Sequence, residues 1–443
     1  MSGGKKSHKI NKDLFLRRAK RLYEYWKEDE GPLGSVNCVV VAAGADDNSK
    51  PYSKSSAFQT WLYSSELLDT VTVAVRSPDS KIIFLGSGKK AEYFDPATGT
   101  HGEIKLKAIR RDKTDESNFG RLISLVKESG GVMGYFAKDK FSSAFCDAWE
   151  AKLEEADIKK VVVTSSFVNL YAVKDEDEII LVRKAAEASV NAWINIRKKY
   201  VDIVDRNAHL KHSVLSEKVD DSITKVEVQG AQAKDHNIET CYSTIIQSGG
   251  RYNFKWSTQS SDKAVQFDAI TTSLGARFES YCSNVGRTLL IQPSKALEDA
   301  HDTVLAAQDD LIKSLTPGAK LKDVHEKALK SLKPELRDKL YKKELGFATG
   351  IEFREGALTI SSESSGVVKA GMIFVVVMAV SHIELSGDNE AAILISDTVL
   401  ISADGSNEIL TKKAKNQLKS IVVRSVMLTY LVLTTRVGNG RPI

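Results

Sequence analysis

Five short stretches in the C-terminal half constrain the fold of this chain more than anything else in its sequence. In order they are Ser273-Leu274-Gly275, the run from Tyr281 to Thr288, the run from Gly346 to Glu355, Gly371-Met372-Ile373-Phe374, and Ser396-Asp397-Thr398-Val399-Leu400. Ser273 and Asn284 are eleven residues apart, with Gly275 and Tyr281 between them. β-Branched runs around these stretches predict strands over Tyr242–Ser248, Val265–Phe278, Tyr281–Ile291 and Met372–Val380. A helix is predicted over Lys295–Leu315, and Thr316-Pro317-Gly318 stops it. An earlier helix opens the same region. Asp175-Glu176-Asp177-Glu178 places acids in its first turn and Arg197-Lys198-Lys199 places bases in its last, both of which suit the macrodipole.

The N-terminal half has a different pattern. A helix from about Asn11 to Asp29 carries Phe15, Ala19, Leu22 and Trp26 on one stripe at helical spacing. Strands follow at Cys38–Ala43, Thr70–Arg76 and Lys81–Leu85, the last two joined as a hairpin across Ser77-Pro78-Asp79-Ser80. A strand near Val132–Phe136, a helix near Phe141–Glu154 and a strand at Lys160–Thr164 complete an α/β unit. At 443 residues the chain has room for two or three domains. Its 42% hydrophobic and 27% charged residues are ordinary for a globular protein, and a net charge of +5 is no nucleic-acid signature by itself. No signal peptide is visible. The four cysteines form no CxxC and are expected to be reduced and buried, as in a cytosolic or nuclear protein. Val422–Leu433 is apolar but too short to span a bilayer. It is either a final strand or foreign sequence from a truncated reading frame, and the second is favoured because an unpaired run of this kind invites aggregation. No membrane association is expected.

The order and spacing of the five stretches resemble the pita-bread metallopeptidases: methionine aminopeptidase, prolidase, aminopeptidase P and creatinase. The N-terminal half resembles the first domain of creatinase and aminopeptidase P in its order of elements. This implies a disordered N-terminus at 1–9 and a creatinase-like α/β domain at 10–174. An α+β pita-bread domain at 175–420 and an atypical tail at 421–443 follow. In the peptidases the pattern carries two Asp, one His and two Glu as metal ligands; the matching positions here are Ser273, Asn284, Phe347, Val377 and Ser396. A pair of divalent ions about 3.5–4 Å apart needs bridging carboxylates and supplies the acidified water that attacks the substrate. Ser and Asn offer neutral oxygens, and Phe and Val offer no donor. No metal, no cofactor and no hydrolysis are therefore expected. Asp397 and Glu355 are the carboxylates that a shifted register would recruit, but both match non-ligand acids of the family. Creatinase works without metal through His groups, which titrate near neutral pH; here those positions are Phe347 and Arg354, and no His stands between Ser248 and Trp256. His236 and His382 belong to no motif.

A ligand-free pita-bread domain behind a creatinase-like domain is similar to the N-terminal region of the large subunit of the FACT histone-chaperone family. The run from Lys54 to Leu62, the run from Ile246 to Asn253 and the run from Gly346 to Glu355 carry that resemblance over roughly residues 8–420. It implies a nuclear, chromatin-associated protein that binds core histones during nucleosome reorganisation in transcription, replication and repair. An HMG-box-associated subunit would be engaged only through later domains, which on this resemblance are expected to lie outside the chain, as is the acidic tail. Replication or transcription proteins are further possible partners. Because histones and this chain are both basic, long-range attraction cannot drive their binding. Local acids would have to help, either Glu344, Glu352, Glu355 and Glu363 or Glu384, Asp388 and Glu390. The vacated cleft is expected to serve as a peptide groove, with Phe347 and Val377 as its floor and Arg287, Glu352 and Arg354 near its rim. The alternatives are a docking module for chromatin proteins without histone contact, and an X-Pro aminopeptidase or dipeptidase. Direct DNA binding through Lys105 to Lys113 is not expected, because that run lacks aromatics for stacking.

Overall fold

The computed structural model describes residues 9–44, 52–76, 79–112, 116–139, 141, 143–229, 236–341, 344–385 and 390–424, in two compact units divided between Tyr171 and Ala172. In the first, helix Lys12–Glu28 starts at an Asn11 cap, whose side chain accepts from the Leu14 amide at 3.1 Å. Its stripe of Phe15, Ala19, Leu22 and Trp26 is buried as the helical spacing requires. A seven-stranded sheet runs in the order Gly99–His101, Ile104–Arg110, Lys81–Gly86, Thr70–Val75, Cys38–Ala43, Val132–Tyr135 and Lys159–Val162. Thr70–Val75 and Lys81–Gly86 pair antiparallel, the arrangement of the predicted hairpin; Ser77 and Pro78 of its turn lie outside the described residues. The Lys105 run forms a strand near one edge. It exposes Lys105 and Lys107 while burying Ile104 and Leu106, the alternation of a solvated strand face.

Residues 1–8, part of the segment expected to be disordered, lie outside the described residues; Lys9 is described and bonds Asp95 at 2.8 Å.

The second unit opens with helix Glu176–Asp205. Asp175 caps it in a reciprocal capping box with Glu178 (both bonds 2.9 Å), which satisfies two orphan amides. One expectation needs correction. Arg197, Lys198 and Lys199 are not in the last turn, because the helix continues through Tyr200, Ile203 and Val204, which are buried. Burying that further turn outweighs the electrostatic preference of three bases for a helix end. The main sheet has the order Gly346–Ala348, Ile373–Glu384, Glu390–Leu400, Val285–Ile291, Ala269–Leu274 and Ile245–Gln247, with Glu408–Ile409 and Val422–Val423 added beside it. Val422–Val423 pairs parallel with Val285–Ile291. The expected tail beyond Arg424 lies outside the described residues. Among the described residues no helix is long and apolar enough to cross a membrane.

Candidate functional site

In a pleated sheet, alternate residues point to opposite faces, and residues directly paired across an antiparallel ladder share a face. That parity assembles the site. Ser273 pairs with Gly286, Gly286 with Ser396, and Ser396 with Val377; Val375, two residues before Val377, pairs with Phe347. Four of the five singled-out positions therefore share one face by ladder parity, although they span 124 residues of chain (273 to 396). Asn284 joins them from the end of its strand. Gly286 permits the close approach, since a Cβ there would stand 2.7 Å from that of Ser396.

These polar groups satisfy one another. The Asn284 amide meets all its neighbours when its nitrogen donates to Leu274 O (3.1 Å) and to Tyr242 Oη, while its oxygen accepts from Val285 N (3.3 Å) and from Ser396 Oγ (2.7 Å). Tyr242 Oη then donates to Ser273 Oγ at 2.7 Å. Burial raises the Tyr242 phenol well above its usual pKa, so it stays a neutral donor. The network is uncharged throughout. Phe347 packs edge-on against Trp256 (centroids 5.4 Å, 89°) and Phe353 (5.2 Å, 75°), and Tyr242 lies 4.8 Å from Phe353. Beside this cluster is a cavity of about 30 Å³ whose floor is Ile245, Ser273, Phe347, Val377 and Leu394. Its mouth is formed by Phe254, Trp256, Tyr341 and Glu344.

The predicted groove residues separate into four sets. Phe347 and Val377 line the cavity. Arg354 stands at its edge. Its guanidinium lies 5.6 Å over the Phe347 ring and forks onto both Glu344 oxygens (2.9 and 2.5 Å). Glu352 is buried in the neighbouring loop, where its carbonyl accepts from Gly350 N at 3.1 Å, and it does not line the cavity. Arg287 is not at a rim. Adjacent to Gly286, it points to the opposite face, is 1% exposed, and donates to Ala414 O, Gly286 O, Ser396 O and Asp397 Oδ1 at 2.6–2.7 Å.

The two carboxylates that a shifted register would recruit are committed elsewhere. Asp397 holds Arg287 and accepts from Thr411 Oγ1 at 2.7 Å. Glu355 bonds Lys174 at 2.5 Å in a fully buried ion pair. Gly350 leaves room for that pair, as a Cβ there would stand 2.3 Å from Lys174 Cε. Three of the clustered acids are similarly occupied, Glu344 by Arg354, Glu355 by Lys174, and Glu390 by His382 at 2.7 Å, while Asp388 lies outside the described residues. His236 contacts Glu279 at 3.1 Å, away from the cavity lining. Among the described residues no group of three His, Cys, Asp or Glu side chains is placed to hold a metal ion. All four cysteines are buried, and none is in a disulfide. Sequence reasoning missed Tyr242, Phe254, Trp256 and Tyr341. The alternation of Tyr252, Phe254 and Trp256 was the available signal for two of them.

A chain with this frame can be placed by comparison. Residues 10–166 match the model of the FACT complex subunit SPT16 N-terminal lobe domain, and residues 181–403 match metallopeptidase family M24. The chain belongs to metallopeptidase family M24, behind an SPT16-type N-terminal lobe. It is 45% identical to the FACT complex subunit spt-16 of Caenorhabditis elegans over 94% of its own length and 41% of that protein. The chain thus spans about two fifths of the curated relatives it matches. Among solved structures, the N-terminal domain of FACT complex subunit SPT16 from chickpea superposes with a TM-score of 0.82 at 27% identity, covering 93% of this chain and 99% of that one. An X-Pro aminopeptidase from Thermotoga maritima shares the fold at a TM-score of 0.65 and 18% identity, covering 89% of this chain and 97% of the other. The α/β lobe followed by a pita-bread domain is therefore the architecture of SPT16 N-terminal domains and of M24 peptidases alike.

Proposed function

We propose that the chain is a non-catalytic, histone-binding module of a FACT-type chaperone, nuclear and chromatin-associated, acting in nucleosome reorganisation. In this reading Ser273, Asn284, Phe347, Val377 and Ser396 stand where an M24 peptidase holds its metals. The observation that carries it is the convergence of these residues on one sheet face, where Ser273, Asn284 and Ser396 form a neutral hydrogen-bonded set with Tyr242 beside the apolar Phe347 and Val377. The donors that a dinuclear centre requires are absent from that set, and the nearby carboxylates Asp397 and Glu355 are each bound to a buried cation. A small cavity with apolar walls and no charge at its floor suits recognition of a peptide side chain. Phe347, Val377 and Arg354 are its contact residues. The kinship with FACT complex subunits supports histones as the peptide source.

Titrating labelled core histone complexes with the purified chain at near-physiological salt tests the proposal. Saturable binding that Phe347→Ala weakens is expected. The absence of binding would leave a docking module for other chromatin proteins. Two equivalents of bound divalent metal with hydrolysis of X-Pro dipeptides would replace the proposal with a peptidase.

A further inference from the structure

The cavity has the chemistry of a cation cage. Its lining holds two aromatic pairs set edge to face: Trp256 against Phe347 (89°) and Phe254 against Tyr341 (69°, centroids 6.1 Å). In an edge-to-face pair the partner covers at most one ring face, which leaves the other faces to meet a cation set beside them. Glu344 completes the wall with a carboxylate whose side chain is only 11% exposed. The protein already supplies a cation to this place, because the Arg354 guanidinium covers the Phe347 ring and grips Glu344 from outside. We propose that this cavity seats the side-chain head of an N-methylated lysine. The inference rests on the peptide-binding reading of the same face and names what the peptide carries.

Three arguments select this head group. The hollow, about 30 Å³, admits a head group and not a length of backbone, since one water needs roughly 10–15 Å³. An unmodified ammonium is strongly hydrated and would lose that hydration against aromatic walls whose one carboxylate is already engaged. Methylation weakens the hydration while keeping the charge, which is the condition under which a cation gains most from ring faces. Arg354 sets the threshold: a bound head group shares Phe347 and Glu344 with it, so Arg354 acts as a resident competitor.

Titration of the full chain with three versions of one histone-tail peptide decides the matter. The lysine is unmodified, dimethylated, or replaced by a neutral isostere with the same branched shape. The small probe Nα-acetyl-Nε,Nε-dimethyllysine amide is titrated separately. Dimethylation is expected to tighten binding about fivefold, and the neutral isostere to lose that gain. Phe254→Ala and Tyr341→Ala, both at half-buried rings, should abolish the preference. Arg354→Gln should strengthen it, an effect that a merely structural role would not produce. Equal binding of all three peptides overturns the cage and leaves the peptide groove standing. Binding of the small probe with no binding of any peptide supports the cage and removes the groove. Binding of neither overturns both.

Discussion

The two faces of the main sheet in the second unit carry opposite electrostatics, although their residues are neighbours in sequence. On one face Ser273, Asn284, Ser396 and Tyr242 form a neutral hydrogen-bonded net beside Phe347 and Val377. On the other, one residue along in each strand, Arg287 and Asp397 form a buried ion pair fixed by Thr411 and three backbone carbonyls. Ser396 and Asp397 are adjacent, as are Gly286 and Arg287. Period-two alternation alone decides which member of each pair meets a ligand and which holds the sheet together. The charges that remain in this region are structural, while the face that can meet a partner is uncharged except at its Glu344–Arg354 edge.

The largest expected effect comes from breaking the charged face. Arg287→Ala leaves Asp397 buried without its cation and should destabilise the second unit by about 3–5 kcal/mol in denaturant unfolding. The paired replacement Arg287→Met with Asp397→Leu should recover most of that loss, because removing both charges removes the desolvation penalty too. A single replacement as costly as the pair would show that packing, and not charge, is what this face supplies. On the neutral face Phe347→Ala should cost about 3 kcal/mol, the low end for a buried aromatic, because its site borders a cavity that can relax. Its distinguishing mark is that peptide binding falls as well, whereas the paired replacement on the other face leaves binding intact.

Much of this was legible in the sequence, and the failures have one cause. The strands around Ser273, Asn284 and Ser396 announce themselves through β-branched runs and glycines, and the acids from Asp175 to Glu178 announce a capped helix. Register gives the face on which Ser273 and Ser396 lie once the ladder is known. It equally puts Arg287 on the far side, and motif proximity led to the opposite expectation for that residue. Phe254, Trp256, Tyr341 and Glu344 reach the cavity from two segments separated by more than eighty residues (256 to 341). Nothing local in either segment says that they will meet. Arg197 to Lys199 illustrate the same limit on a helix: three bases look like an end, but burial of the next turn carries the helix past them.

The charged face also sets a pH dependence. His301 is buried, and burial first, then the nearby Arg287 guanidinium, lower its pKa to about 4. The unfolded chain binds this proton near pH 6.5 and the folded chain does not, so His301 favours folding above pH 6.5 and that contribution fades as pH falls towards 4. Over that window roughly 2–3 kcal/mol should be lost. Asp268, raised by burial to about 6, has the opposite slope, since the folded state holds its proton longer. The measurement is therefore the difference between the parent and His301→Gln unfolding curves, in which Asp268 cancels. In the Arg287→Met, Asp397→Leu background the His301 window should narrow, because the repelling cation is gone. An unchanged window would assign the depression to burial alone.

The smallest effect sharpens the comparison most directly, by deleting one hydroxyl from each face. Ser396→Ala removes a donor to the Asn284 oxygen, which still accepts from Val285 N at 3.3 Å, so the loss should be about 1 kcal/mol, that of a neutral bond. Thr411→Val removes a 2.7 Å bond to the Asp397 carboxylate and an acceptor for the Thr398 amide at 3.1 Å. Bonds to charged groups contribute about 1.5–3 kcal/mol, and the orphaned amide adds to that. Thr411→Val should therefore cost at least twice as much as Ser396→Ala, although Val keeps the shape of Thr and Ala is smaller than Ser. Equal losses would mean that the ion pair draws its stability from its four Arg287 bonds alone, and that the hydroxyl beside it is incidental.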